Sequence, residues 1–155
     1  DKISVNTGAF KNPGLIAELA KEFGSQCVVL AIDAKKQADG KHYVYLNGGR
    51  TATDMQVADW GRMGVELGAG EILLTSMDKD GTKSGFELEL TKELAQSLPV
   101  PVIASGGGGT LFHFAEVFKK GFADAALAAS IFHFREIPIP ELKKYLSAEG
   151  IDIRI

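Results

Sequence analysis

Five short apolar runs recur along the chain, each followed by residues at helical spacing, and this alternation restricts the fold more than any other feature. The runs cover about 2–6 (KISVN), 27–32 (CVVLAI), 71–75 (EILLT), 100–104 (VPVIA) and 124–129 (DAALAA). Most show no in-out alternation. Near-continuous apolar strands belong in parallel sheets covered on both faces. Parallel neighbours need a crossover, so the pattern predicts βα units with right-handed connections. Asn12-Pro13 is expected to open the first helix, with Asn12 as N-cap and Pro13 at the first helical position. Its apolar stripe is Leu15, Ile16, Leu19, Ala20 and Phe23, and Gly24 ends it. A second helix over roughly 54–67 would turn Val57, Trp60, Met63 and Leu67 inward, and three more are expected near 87–97, 110–120 and 139–148. One segment breaks the rhythm. Residues 42–53 read as a hairpin turning at Asn47-Gly48, placed over the C-terminal ends of the strands.

A chain of 155 residues makes one compact domain with a real core. It does not close a β/α barrel, which needs eight strands and about 200–250 residues. Two sheet edges would be left unpaired, and proteins rarely leave such edges bare. The net charge of −3 with no basic tract argues against nucleic acid as a partner. No apolar run is long enough to span a bilayer. The lone Cys27 cannot form an internal disulfide, which suits a reducing cytosol, so a cytoplasmic location is expected.

The chemistry-bearing residues gather where strands end. Glu71–Gly85 runs from an apolar strand into a loop of hydroxyls and acids, including Thr75, Asp78, Asp80 and Gly81. In parallel α/β folds that end faces the crevice. Asp78 and Asp80 could position a substrate or act as acids, or simply form a turn at Asp80-Gly81. With no His or Cys beside them they make a poor metal site, and no metal or cofactor is expected. Asp33 ends the second strand, where a carboxylate serves as general acid or base, or else as a solvated surface acid. Ser105 followed by Gly106 to Gly109 opens a helix. This run favours phosphate over a plain flexible turn, because the segment from Ser130 to Glu136 stands ready as a cooperating loop. A faint repeat sets a hydroxyl six residues after an acid in both Asp1–Thr7 and Asp124–Ser130, which predicts two related anion sites at helix starts. His113 and His133 show no triad arrangement. Lys2 and Glu71 sit at the opposite strand ends, where charges either solvate the bottom or line an axial mouth.

The segments Asp1–Thr7, Val29–Asp33, Gly68–Thr82, Ile103–Gly107 and Ala128–Glu136 closely resemble the cyclase subunit of imidazole glycerol phosphate synthase, from the fourth strand of that family onward. The resemblance implies a partial (β/α)8 TIM barrel: an α/β fold of about five parallel strands with flanking helices, the C-terminal half-barrel plus one βα unit. It also implies the family's reaction. Ammonia and a bisphosphorylated ribulosyl-formimino aminoimidazole carboxamide ribotide give imidazole glycerol phosphate and aminoimidazole carboxamide ribotide, in histidine biosynthesis. Asp33 would be one of two catalytic carboxylates. Asn6 and Thr7 would hold one phosphate, and Gly81, Gly107 and Ser130 the other. Thr75, Asp78, Asp80 and Ser105 would line the pocket. Lys2 and Glu71 would belong to a charged ring where ammonia enters from a glutaminase subunit, and Asp1 would touch that subunit.

The family's partner aspartate lies on its first strand, which has no counterpart here, and paired acid-base work needs both groups on one substrate. The chain alone is therefore expected to be inactive, with roughly 95–100 further residues expected upstream to supply the missing strands. Glu87 replaces the family's usual Asp, and Ala52 a common Gly. Two other readings stand beside this one. They are the sister isomerase of the same pathway, and a non-catalytic half-barrel that forms a homodimer through its open edges.

Overall fold

The computed structural model describes residues 1–154. The elements follow in the order β1 (Ile3–Val5), α1 (Thr7–Lys11), α2 (Gly14–Phe23), β2 (Val28–Lys36), β3 (His42–Leu46), β4 (Thr51–Gln56) and α3 (Val57–Glu66). Then come β5 (Glu71–Ser76), α4 (Leu88–Ser97), β6 (Val102–Ser105), α5 (Leu111–Lys119), β7 (Ala125–Leu127), α6 (Ser130–His133) and α7 (Ile139–Ala148). Five strands, β1-β2-β5-β6-β7, pair parallel in chain order, which is the run of strands expected of part of a (β/α)8 barrel.

Strand β2 is longer than its apolar run. Its lower half pairs with β1 from Val28 to Leu30, while its upper half pairs antiparallel with β3 from Asp33 to Lys36 on the same edge. That second partner carries the polar residues Lys35 and Lys36 into the ladder, which hydrophobic patterning does not anticipate. The hairpin turns at Asn47 and Gly48, both at positive φ, as the Asn-Gly pair predicts. Its second strand continues to Gln56, so α3 begins later than the sequence spacing suggests. Ala52 lies in β4 opposite Tyr45.

The two faces of the sheet differ. Val28, Leu30, Ile32, Ile72, Leu74 and Val102 point toward the helices and pack with Ile16, Trp60, Leu90 and Leu94 in one buried cluster. On the other face Ala31, Leu73, Ile103 and Ala125 form one register row, and each is only half-buried. The strands are apolar on both faces, yet burial alternates, because helices cover only one face. A second cluster joins Phe86, Phe114, Val117, Ile131, Leu142 and Leu146 beneath the last units.

Three local expectations need correction. Asn12 closes the short helix α1, and it is Pro13 that occupies the N-cap position of α2. Phe23 is 51% exposed and Met63 is 37% exposed, so neither belongs to the core stripe. Phe23 is the last residue of its helix and Met63 sits beside the inward arc that Trp60 and Gly64 define.

Candidate active site

The parallel ladders bring Asp33, Thr75, Ser105 and Leu127 into one row across the C-terminal end of the sheet. Residues that share a row at this pleat share a face, and this face is the one the helices leave uncovered. Asp33 is half-buried there, and its Oδ2 accepts a 3.1 Å hydrogen bond from Asn6 Nδ2 at the end of β1.

Two hollows open above this row. One, of about 350 Å³, is lined by Asp33, Thr75, Met77 and Asp80 with Gly48 and Gly49 of the hairpin turn. The other, of about 200 Å³, is lined by Asp80, Gly81, Lys83, Ser105, the glycine tract and the Ala128–Ser130 segment. Asp80 borders both, so the acid and the glycine tract face adjoining spaces.

Close backbone packing builds the second hollow. Gly106 and Gly107 have φ of +91° and +97°. A Cβ on Gly107 would lie 2.1 Å from the Gly85 carbonyl oxygen, and the Gly85 N–H donates to the Gly107 carbonyl at 2.9 Å. Only glycine permits that approach together with that dihedral. His113 holds the far end, its Nδ1 accepting the Gly109 N–H at 3.2 Å. Sequence reasoning left His113 without a role, and its position four residues after the tract was the available signal. Lys83 bridges to Glu136 at 2.6 Å, tying the β5–α4 loop to the segment after α6 across the hollow. Lys83 is the cation among the residues that line this hollow, and the pairing engages it. Neither Lys83 nor Glu136 stood out in the sequence, because their 53-residue separation hides the contact.

The other candidates are placed as follows. Thr7 opens α1 and Ser130 opens α6, in keeping with the repeat, although each helix is only a turn or so long. The Thr7 Oγ1 accepts the Asn47 N–H at 2.9 Å, so it is engaged by the hairpin tip. Asp78 does not line either hollow; its Oδ2 accepts the Lys36 N–H at 2.8 Å and fastens the β5–α4 loop to the end of β2. Lys2 and Glu71 are ion-paired at the opposite end of the sheet, and Asp1 is exposed beside them. At the hairpin base the Tyr43 hydroxyl donates to Asp39 at 2.7 Å. This bond holds the Asp39 carboxyl below its ordinary value and raises the Tyr43 phenol above its own. Among the described residues, no three His, Cys, Asp or Glu side chains gather into a metal-binding group, and no helix is long and apolar enough to cross a membrane.

A parallel βα sheet of this order, with a polar row and glycine-built hollows at its C-terminal rim, defines part of a (β/α)8 barrel. The chain belongs to the histidine biosynthesis protein family, whose model matches residues 1–138. It is 54% identical to the imidazole glycerol phosphate synthase subunit HisF of Alkaliphilus metalliredigens over 99% of its length. It is 57% identical to the subunit of the same name from Clostridium botulinum and 56% identical to that of Streptococcus sanguinis, over its whole length in each case. It spans 61–62% of the length of these relatives.

Proposed function

We propose that this chain is the C-terminal part of a cyclase subunit of imidazole glycerol phosphate synthase, acting in histidine biosynthesis in the cytoplasm. One observation carries the reading: the carboxylate of Asp33 and the glycine-lined hollow share a wall at Asp80. A general acid-base group and an anion cradle side by side suit a phosphorylated substrate whose ring closure needs proton transfer. Asp33 is one of two catalytic carboxylates, and the second belongs to the portion of the relatives that this chain does not span. Gly81, Gly107 and Ser130 hold one phosphate. Asn6 and Thr7 stand at the end that receives the other. Thr75, Asp80 and Ser105 line the space between, while Asp78 holds the loop that carries Asp80. The Lys2–Glu71 pair lies at the opposite face, where ammonia from a glutaminase subunit would enter, with Asp1 at the contact.

The test is to supply the three missing N-terminal βα units from a relative and assay ammonia-dependent turnover. The completed barrel should turn over, and Asp33→Asn should lower kcat by about 10²–10⁴-fold. Full turnover by the Asp33→Asn barrel would remove the acid-base role. Turnover by the 155-residue chain alone would remove the incomplete-site account. A second reading, a homodimer through the open edges, draws on Leu127, which is 43% exposed on the terminal strand β7.

A further inference from the structure

Asn6 occupies the N-cap position of α1, where asparagine is among the favoured residues because its side chain can accept a helix N–H. It makes no such bond. Its backbone sits at φ −132°, ψ −106°, away from the usual extended cap geometry, and its amide instead donates to Asp33 Oδ2 at 3.1 Å. The contact joins neighbouring strands 27 residues apart in sequence and is partly buried. The local preference for capping has thus given way to a bond with the carboxylate.

We infer that Asn6 is a positioning residue for Asp33, an assignment that rests on the acid-base reading of Asp33 above. A carboxylate has two oxygens and several rotamers. An amide N–H fixed to Oδ2 holds one rotamer and occupies one oxygen, and Oδ1 is left as the oxygen that bond does not engage, in a side chain that lines the hollow with Thr75 and Asp80. An amide suits this role because it has no charge to titrate. An aspartate in its place would repel Asp33 and a lysine would pair with it. One N–H is enough for the task, so the second N–H and the carbonyl of Asn6 remain available to a ligand.

The test has two arms. In the chain itself, three-bond couplings to the Asp33 carboxyl carbon should report a single χ1 rotamer, and Asn6→Ala should give averaged couplings. Asn6→Leu, close to the original in size, controls for a void and should behave like Asn6→Ala. Couplings unchanged in both variants overturn the inference, whatever the enzyme assay says. In the barrel completed as above, Asn6→Ala should lower kcat by about 10–100-fold with KM within about threefold, the pattern of a lost transition-state contribution. In the Asp33→Asn background the same substitution should lower kcat no further, because residues acting as a unit are not additive. A rise in KM alone marks a ligand grip and overturns the positioning role while Asp33 keeps its own. An Asp33→Asn barrel that still turns over sinks the functional reading, and the coupling arm then still decides whether Asn6 orients this carboxylate.

Discussion

Gly107 and Gly81 line the same hollow and both have positive φ, yet they should tolerate substitution differently. A Cβ on Gly107 meets the Gly85 carbonyl at 2.1 Å, whereas one on Gly81 meets nothing within 4 Å. Gly107→Ala must move backbone as well as adopt a left-handed dihedral, so urea unfolding should show a loss of about 3 kcal/mol or more. Gly81→Ala carries only the dihedral penalty, about 1–2 kcal/mol. Equal losses for the two would contradict the close-approach account. Tyr43 gives a pH test at the same scale. Its phenol is raised above its ordinary value by the bond to Asp39, so its ionisation should come late in an ultraviolet titration. Asp39→Asn should bring that ionisation to lower pH. The signs follow from linkage: the raised phenol contributes stability below its ordinary value that is lost as pH climbs past the folded one, and the depressed Asp39 carboxyl contributes stability that is lost as pH falls. Asp39 is exposed and Tyr43 is only half-buried, so the effect on global stability should be small.

Among elements, the tip of the hairpin is tied to the start of α1 by a side-chain contact. The Asn47 N–H donates to Thr7 Oγ1, and Asn47 Nδ2 donates to Thr51 Oγ1 within the turn. Thr7→Val removes the acceptor while keeping the shape. Hydrogen exchange at the Asn47 amide should then speed up at least tenfold, with global stability changed by only about 1 kcal/mol. Unchanged exchange would mean that the tip is held by the turn alone. The strand elements were legible in the sequence because their apolar runs are dense and bounded by Gly, Pro and Asn. The hairpin's turn was legible because Asn-Gly has few alternatives. The far end of β2 was not, since Lys35 and Lys36 enter the ladder through a partner and not through their own preference. The site divides the same way. Strand ends placed Asp33, Thr75 and Ser105 in one row, but the contacts of Asp78 with Lys36 and of Lys83 with Glu136 join loops whose approach only the fold determines.

For the whole molecule, the half-covered row of Ala31, Leu73, Ile103 and Ala125 matters most. Apolar surface of this kind favours burial against a second wall, whether from another copy or from the remaining barrel units. The chain alone should therefore associate as concentration rises in sedimentation. Leu127→Asp, which places a charge in the uppermost row, should weaken that association at least tenfold. Association that ignores this change would place the contact on another face. The Lys2–Glu71 pair should matter little to stability, about 0–1 kcal/mol by a double-mutant cycle, because Lys2 is half exposed.

The shared edge of β2 has one more consequence. Strand β1 touches it at only three positions, too few to resist sliding by themselves. A slip of one residue would turn Lys2 and Asn6 toward the helices and strip Asp33 of its neighbour. The hairpin is seated directly above on the same edge and latched to Thr7, so it should act as an end stop against that slip. Shortening it should blur the alignment of the first strand long before it loosens the rest of the molecule.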